Sequence, residues 1–170
     1  MKNFEHRTVD KHLWGPGPWQ QEPDKRQWKD VTTGLPCLVV RARNGALCGY
    51  VGVTEGHPWF GRHKYEIDAE VHGGVTFALA CERDGERSSS ICHQPDEGEP
   101  DKLWWVGFDC AHSLDLLPSQ PSWPLRAVDF DLPRWAEPVY RDLSYVERHV
   151  GYLALEATSA KMRSLSAVKG

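Results

Sequence analysis

The sequence predicts an α+β domain: a mainly antiparallel sheet of about five strands with one C-terminal helix against a face of the sheet. Three observations carry this. Short β-prone runs separated by turn signals recur from Leu35 to His112. Asn44-Gly45 joins two of them, the strongest short-range hairpin signal. A helical apolar spacing then begins after Ser144.

The 170 residues suit a single domain, residues 1–170, long enough to bury a core without covalent staples. Residues 1–34 read as an irregular docked arm. Gly15-Pro16-Gly17-Pro18 sustains neither helix nor ladder, while Trp14, Trp19 and Trp28 offer anchors. Residues 35–112 read as the antiparallel sheet. Leu35–Ala42 and Ala46–Val53 form the hairpin, and a connection with Gly56, Pro58 and Gly61 leads to a third strand, Val71 to Cys81. Asp84-Gly85 turns the chain toward a fourth, Ser90–His93, and an acidic stretch leads into a fifth, Leu103–Cys110, making a meander. Residues 113–143 form a Pro-rich loop, with Pro118, Pro121, Pro124, Pro133 and Pro138. Residues 144–165 form the helix, capped by Ser144 with Glu147 completing a capping box, and with Val146, Val150, Leu153 and Ala157 facing the sheet.

Twenty Lys+Arg against 24 Asp+Glu give a net charge of −4, with no basic cluster, which excludes general duplex DNA binding. The longest apolar runs are strand-sized, so no membrane span is expected, and Met1–His6 lacks the apolar stretch of a signal peptide. The expected location is cytoplasmic. Cys37, Cys48, Cys81, Cys92 and Cys110 are odd in number and contain no CxxC pair, so reduced thiols are expected.

The densest polar group within apolar strands is His72-Gly73-Gly74-Val75-Thr76 together with Gly107-Phe108-Asp109-Cys110-Ala111-His112-Ser113 and Asp115. Strand alternation puts Phe108, Cys110 and His112 on one face and Asp109 on the other. One reading is catalytic: Cys110 or Thr76 attacks, His72 or His112 takes the proton, and Asp109 or Asp115 orients the imidazole. Another is a zinc site drawing on Cys92, Cys110 and His112, with His72, His93 or Asp109. The bland alternative is that buried His and Asp satisfy backbone groups and reduced Cys fills the core.

Eight tryptophans are many for this length, and Trp59, Trp123 and Trp135 sit in loops. They are candidate binding residues, anchoring a protein partner or stacking on a base, against plain loop-to-sheet packing. The run Asp96-Glu97-Gly98-Glu99-Pro100-Asp101 is either a phosphate mimic or a solvated turn.

The stretches Val71-His72-Gly73-Gly74-Val75-Thr76, Ile91-Cys92-His93 and Trp104-Trp105-Val106-Gly107-Phe108-Asp109-Cys110-Ala111-His112 carry HGG(V/L)T and WW-x-GFDCAH motifs. In these the chain resembles a family of small proteins from bacteriophages and prophage-bearing bacteria. The resemblance runs through most of the chain and implies a phage-associated origin. The expected function is therefore a phage-associated accessory protein of the host cytosol that counters a host defence, binding a host protein or a nucleotide-like small molecule. The alternative is a small hydrolase using His72, Asp109, Cys110 and His112, with or without zinc.

Overall fold

The computed structural model describes residues 1–81, 89–120 and 137–167. Among these, six strands form one antiparallel sheet: β1 Phe4–His6, β2 Lys25–Lys29, β3 Pro36–Arg41, β4 Leu47–Val53, β5 Phe77–Ala80 and β6 Trp104–Asp109. Their order across the sheet is β1-β2-β3-β4-β6-β5. One helix, α1, spans Leu143–Ala167. The α+β class with an antiparallel sheet and a C-terminal helix is as the sequence predicts.

The central hairpin forms around Asn44-Gly45. Val40 pairs with Cys48 and Val39 with Gly49. Gly45 adopts a φ of 90°, a left-handed value that glycine takes without penalty, and Asn44 Oδ1 accepts the Ala46 N–H at 3.1 Å. β4 is buried along its whole length because both faces of the sheet are covered. One face packs Val39, Leu47, Val51, Val106 and Phe108 against the helix residues Val146, Val150, Leu153, Ala154 and Ala157. The other packs Leu38, Val40, Tyr50 and Trp105 with Leu103. Gly49 lets the helix sit close, since a Cβ there would lie 2.6 Å from Val150 Cγ2.

Five expectations change, the last at the start of the helix. The N-terminal arm is not wholly irregular, because β1 and β2 extend the sheet from it. Its signal is hidden in the polar string Lys25-Arg26-Gln27-Trp28-Lys29. Lys25 and Gln27 are fully buried, but the Lys25 Nζ donates to Cys92 O at 2.5 Å and the Gln27 amide pairs with the Gln94 backbone. Buried polar groups are tolerated when so paired. Second, Ser90–His93 is not a strand. With Gln94 it runs past the β2 side chains instead, supplying those hydrogen bonds. Third, the strand expected over Val71 to Cys81 shrinks to β5 and lies outside β6 rather than in meander order. Gly73 and Gly74, at φ values of 65° and 82°, turn the chain ahead of it.

Fourth, the thiols are not all reduced. Cys81 and Cys92 form a disulfide, their Cα atoms 5.0 Å apart, because the 89–94 segment returns past the end of β5. Cys37, Cys48 and Cys110 are free and buried.

The helix is capped by Asp142 rather than Ser144. Asp142 Oδ1 accepts the Tyr145 N–H at 2.8 Å, and Glu22 Oε1 takes the Leu143 N–H at 2.8 Å, so α1 starts at Leu143. Glu147, released from the expected capping box, pairs with Arg26. Among the described residues no helix is long and apolar enough to cross a membrane.

Candidate functional site

The turn after β6 brings His112 and Asp115 together. Asp115 N–H donates to His112 O at 2.9 Å, and His112 N–H donates to Asp115 Oδ2 at 3.0 Å. The Val71–Gly74 turn brings His72 to the same carboxylate. His72 and Asp115 lie 43 residues apart in sequence, yet His72 Nε2 is 2.8 Å from Asp115 Oδ2. Arg141, just before α1, donates from Nε to Asp115 Oδ1 at 2.8 Å. From the first turn of α1, Tyr145 places its hydroxyl 2.9 Å from His72 Nδ1.

These partners fix the chemistry of His72. A carboxylate only accepts, so Nε2 carries a proton toward Asp115, and in that tautomer Nδ1 accepts the Tyr145 O–H. Burial alone would raise the Asp115 pKa. Hydrogen bonds from Arg141 and His72 outweigh it and hold the carboxyl below its ordinary value, so Asp115 is ionised. The second imidazole, His112, has its ring centroid 5.1 Å from that of His72. Its Nδ1 lies 3.4 Å from Asp115 Oδ2, within ion-pair range, but this buried nitrogen has no hydrogen-bond partner.

Gly73 makes the arrangement sterically possible. Its φ of 65° is left-handed, and a Cβ there would sit 2.0 Å from His112 Cε1. His149, one turn beyond Tyr145 on α1, stacks within 4.4 Å of the Tyr145 ring and lies 6.1 Å from His72. Burial, then the neighbouring His72, Arg148 and Arg141, push its pKa down, the two arginines supplying the fixed positive charge.

The sequence-derived candidates divide sharply. His72, His112 and Asp115 converge. Asp109 does not join them: it pairs across from Cys48 on the opposite sheet face, where its Oδ1 accepts the Ala111 N–H at 3.1 Å. Cys110 points toward the cluster's side of the sheet but is 2% exposed, and burial followed by the Asp115 charge pushes its thiol far above the ordinary range. A thiol that stays protonated and sealed is a poor nucleophile or ligand. Thr76 uses its N–H to bond Gly107 O at 2.9 Å, and no contact of its hydroxyl with the histidines is seen among the described residues. Cys92 is committed to the disulfide, which removes it as a thiolate ligand. His93 is buried, with Nε2 3.1 Å from Pro100 O.

Trp59 is 6% exposed and packs in the core beneath α1, so it offers no stacking face. Trp123 and Trp135 lie outside the described residues. The acidic run is not a free phosphate mimic, since Asp96 and Glu99 both pair with the Met1 amine, at 2.7 and 2.5 Å, and Glu99 also with Lys29.

Sequence reasoning missed Arg141, Tyr145 and His149. The spacing of Tyr145 and His149, four apart on a helix, was the available signal, since it puts both rings on one face. Two clefts lie elsewhere among the described residues. One of about 380 Å³ is lined by Lys29, His57, His93 and Lys161, and one of about 560 Å³ by Phe60, Trp104 and the disulfide. In the first, His57 and His93 already spend ring nitrogens on main-chain carbonyls. No protein-family model, curated protein or solved structure matches the chain.

Proposed function

We propose that the protein binds an anionic, nucleotide-like small molecule at the mouth formed by His72, His112 and Arg141. The observation that carries this is an imbalance of exposure between the carboxylate and the cationic side chains around it. Asp115 is 1% exposed, whereas the His72, Arg141 and His112 side chains converging on it are 12%, 25% and 37% exposed. The carboxylate is sealed while the imidazole and guanidinium side chains are the more exposed members of the cluster, which suits a phosphate or carboxylate. Arg148, exposed on α1, adds to the cationic field felt at His149.

The setting we propose is a phage-encoded accessory protein of the host cytosol that counters a host defence; its support is the motif resemblance alone. In the alternative, hydrolytic reading the attacking group is water, because Cys110 is sealed and the Thr76 hydroxyl makes no hydrogen bond to the histidines among the described residues.

Isothermal titration of the full chain with nucleoside mono-, di- and triphosphates, and with the matching unphosphorylated nucleosides, tests the reading. The expected result is saturable binding of a phosphorylated member only. His112→Ala and Arg148→Ala each weaken it roughly tenfold, the size of a lost charge-assisted hydrogen bond. Binding that is unchanged in both variants, or no binding by any phosphorylated compound, overturns it.

A further inference from the structure

The geometry points to a divalent transition-metal site built from the His72 and His112 imidazoles and the Asp115 carboxylate. One donor atom from each lies within 4.8 Å of the others, and the three come from two separate turns. Two imidazoles and one carboxylate on one side of an ion leave its remaining positions open. A donor set with two nitrogens favours zinc or a neighbouring first-row ion over magnesium or calcium, which prefer all-oxygen shells.

Two further observations point the same way. His112 Nδ1 is buried and unpartnered beside the carboxylate oxygen that His72 already touches, a lone pair or N–H with nothing to satisfy it. In addition, the atoms that would face away from an ion are already held. Tyr145 fixes the far nitrogen of His72, and Arg141 fixes the far oxygen of Asp115. This is the outer-shell pattern that orients metal ligands. On binding, His72 would switch tautomer: the proton leaves Nε2, which coordinates, and resides on Nδ1, which donates to the Tyr145 oxygen. Gly73 keeps the His112 ring seated.

The inference deepens the proposed anion site and rests on it for what the metal does, since open positions on the ion would receive a phosphate oxygen. Metal binding is therefore measured without any nucleotide. Full-length protein stripped with a chelator is titrated with zinc chloride by calorimetry, and with cobalt chloride by visible absorption. One ion per chain is expected, with a cobalt spectrum lacking thiolate charge transfer. His112→Ala should weaken zinc binding by more than about 100-fold, and Tyr145→Phe by about 10-fold, with far-ultraviolet circular dichroism unchanged.

Substoichiometric uptake, or affinity unaltered in His112→Ala, overturns the metal site. If nucleotides bind the stripped protein as tightly as the loaded one while zinc fails to bind, the metal site falls and the anion reading stands. If zinc binds as described and no nucleotide does, the anion reading falls and the metal site stands.

Discussion

Tyr140 and Arg141 are neighbours in the chain, yet they serve two polar clusters of opposite character. Tyr140 joins the cluster around Arg41, whose side chain is 0% exposed. There the guanidinium's N–H groups meet Asp24 Oδ1, Glu22 Oε2, Gly45 O, Pro23 O and the Tyr140 hydroxyl, all within 3.2 Å. Lys11 Nζ also reaches Asp24 Oδ1, at 2.6 Å. Arginine has five donors and each has a partner, so nothing is left for a ligand. Arg141 joins the cluster around Asp115, which is half open and leaves His112 Nδ1 unpartnered. Both clusters pair a buried carboxylate with an arginine. An ion pair alone does not distinguish the two clusters; the polar atom left unsatisfied beside Asp115 does.

The largest test of this contrast is stability. Arg41→Met leaves Glu22 and Asp24 buried without their guanidinium, and removing one partner of a buried pair costs about 3–5 kcal/mol. Glu22 also receives the Leu143 N–H, so the start of α1 is loosened with it. His112→Ala, at the open cluster, should change stability by only about 0.5 kcal/mol. Urea unfolding of the two variants compares them directly. Equal losses would mean that the His72–His112–Asp115 group is a second structural clamp and that the contrast is false.

The two clusters were not equally legible in the sequence. His72, His112 and Asp115 could be picked out because ionisable side chains beside the apolar stretch Trp104–Asp109 need a reason to be there. Their mutual contact was not readable, since it depends on how two turns meet, and the same alternation that correctly put Asp109 on the opposite face could not show that Asp115 replaces it. The Arg41 cluster was invisible. Arg41 ends a strand whose pattern is otherwise apolar, and its partners come from the arm read as irregular, where Lys25 and Gln27 disguise a buried strand as a solvated one. The Cys81–Cys92 bond was equally hidden, because a pair 11 residues apart has no spacing signature and depends on the return of the segment after β5.

A smaller, more local test separates geometry from strain at the open cluster. Gly73 and Gly74 both hold left-handed φ values, 65° and 82°, so Ala at either position costs about 1–3 kcal/mol of backbone strain. Only at Gly73 would the new Cβ strike His112, 2.0 Å from its Cε1, whereas nothing lies within 4 Å at Gly74. Gly73→Ala should therefore abolish zinc and nucleotide binding, while Gly74→Ala loses comparable stability and keeps both. Matching loss of binding in the two variants would show that backbone strain, not the seating of His112, governs the site.

The mildest test uses histidines that belong with Arg41 in character, their polar atoms already spent inside the fold. His57 donates from Nε2 to Ala157 O at 3.0 Å and accepts the Trp59 N–H on Nδ1 at 3.1 Å, so protonating Nδ1 sacrifices a bond that holds the loop after β4. Burial lowers the pKa of His57 and of His93 below the ordinary 6.5, with the Ala157 and Pro100 carbonyls only partly opposing it. The unfolded chain therefore binds more protons than the folded one once the pH drops beneath 6.5, so the contribution of these residues is intact above that value and is lost below it. The urea midpoint should fall between pH 7.5 and pH 5.5, and His57→Gln, which keeps an amide donor and acceptor but does not titrate, should flatten that fall. A midpoint just as steep in His57→Gln and in His93→Gln would assign the acid sensitivity to other groups and remove these two histidines from the sealed class.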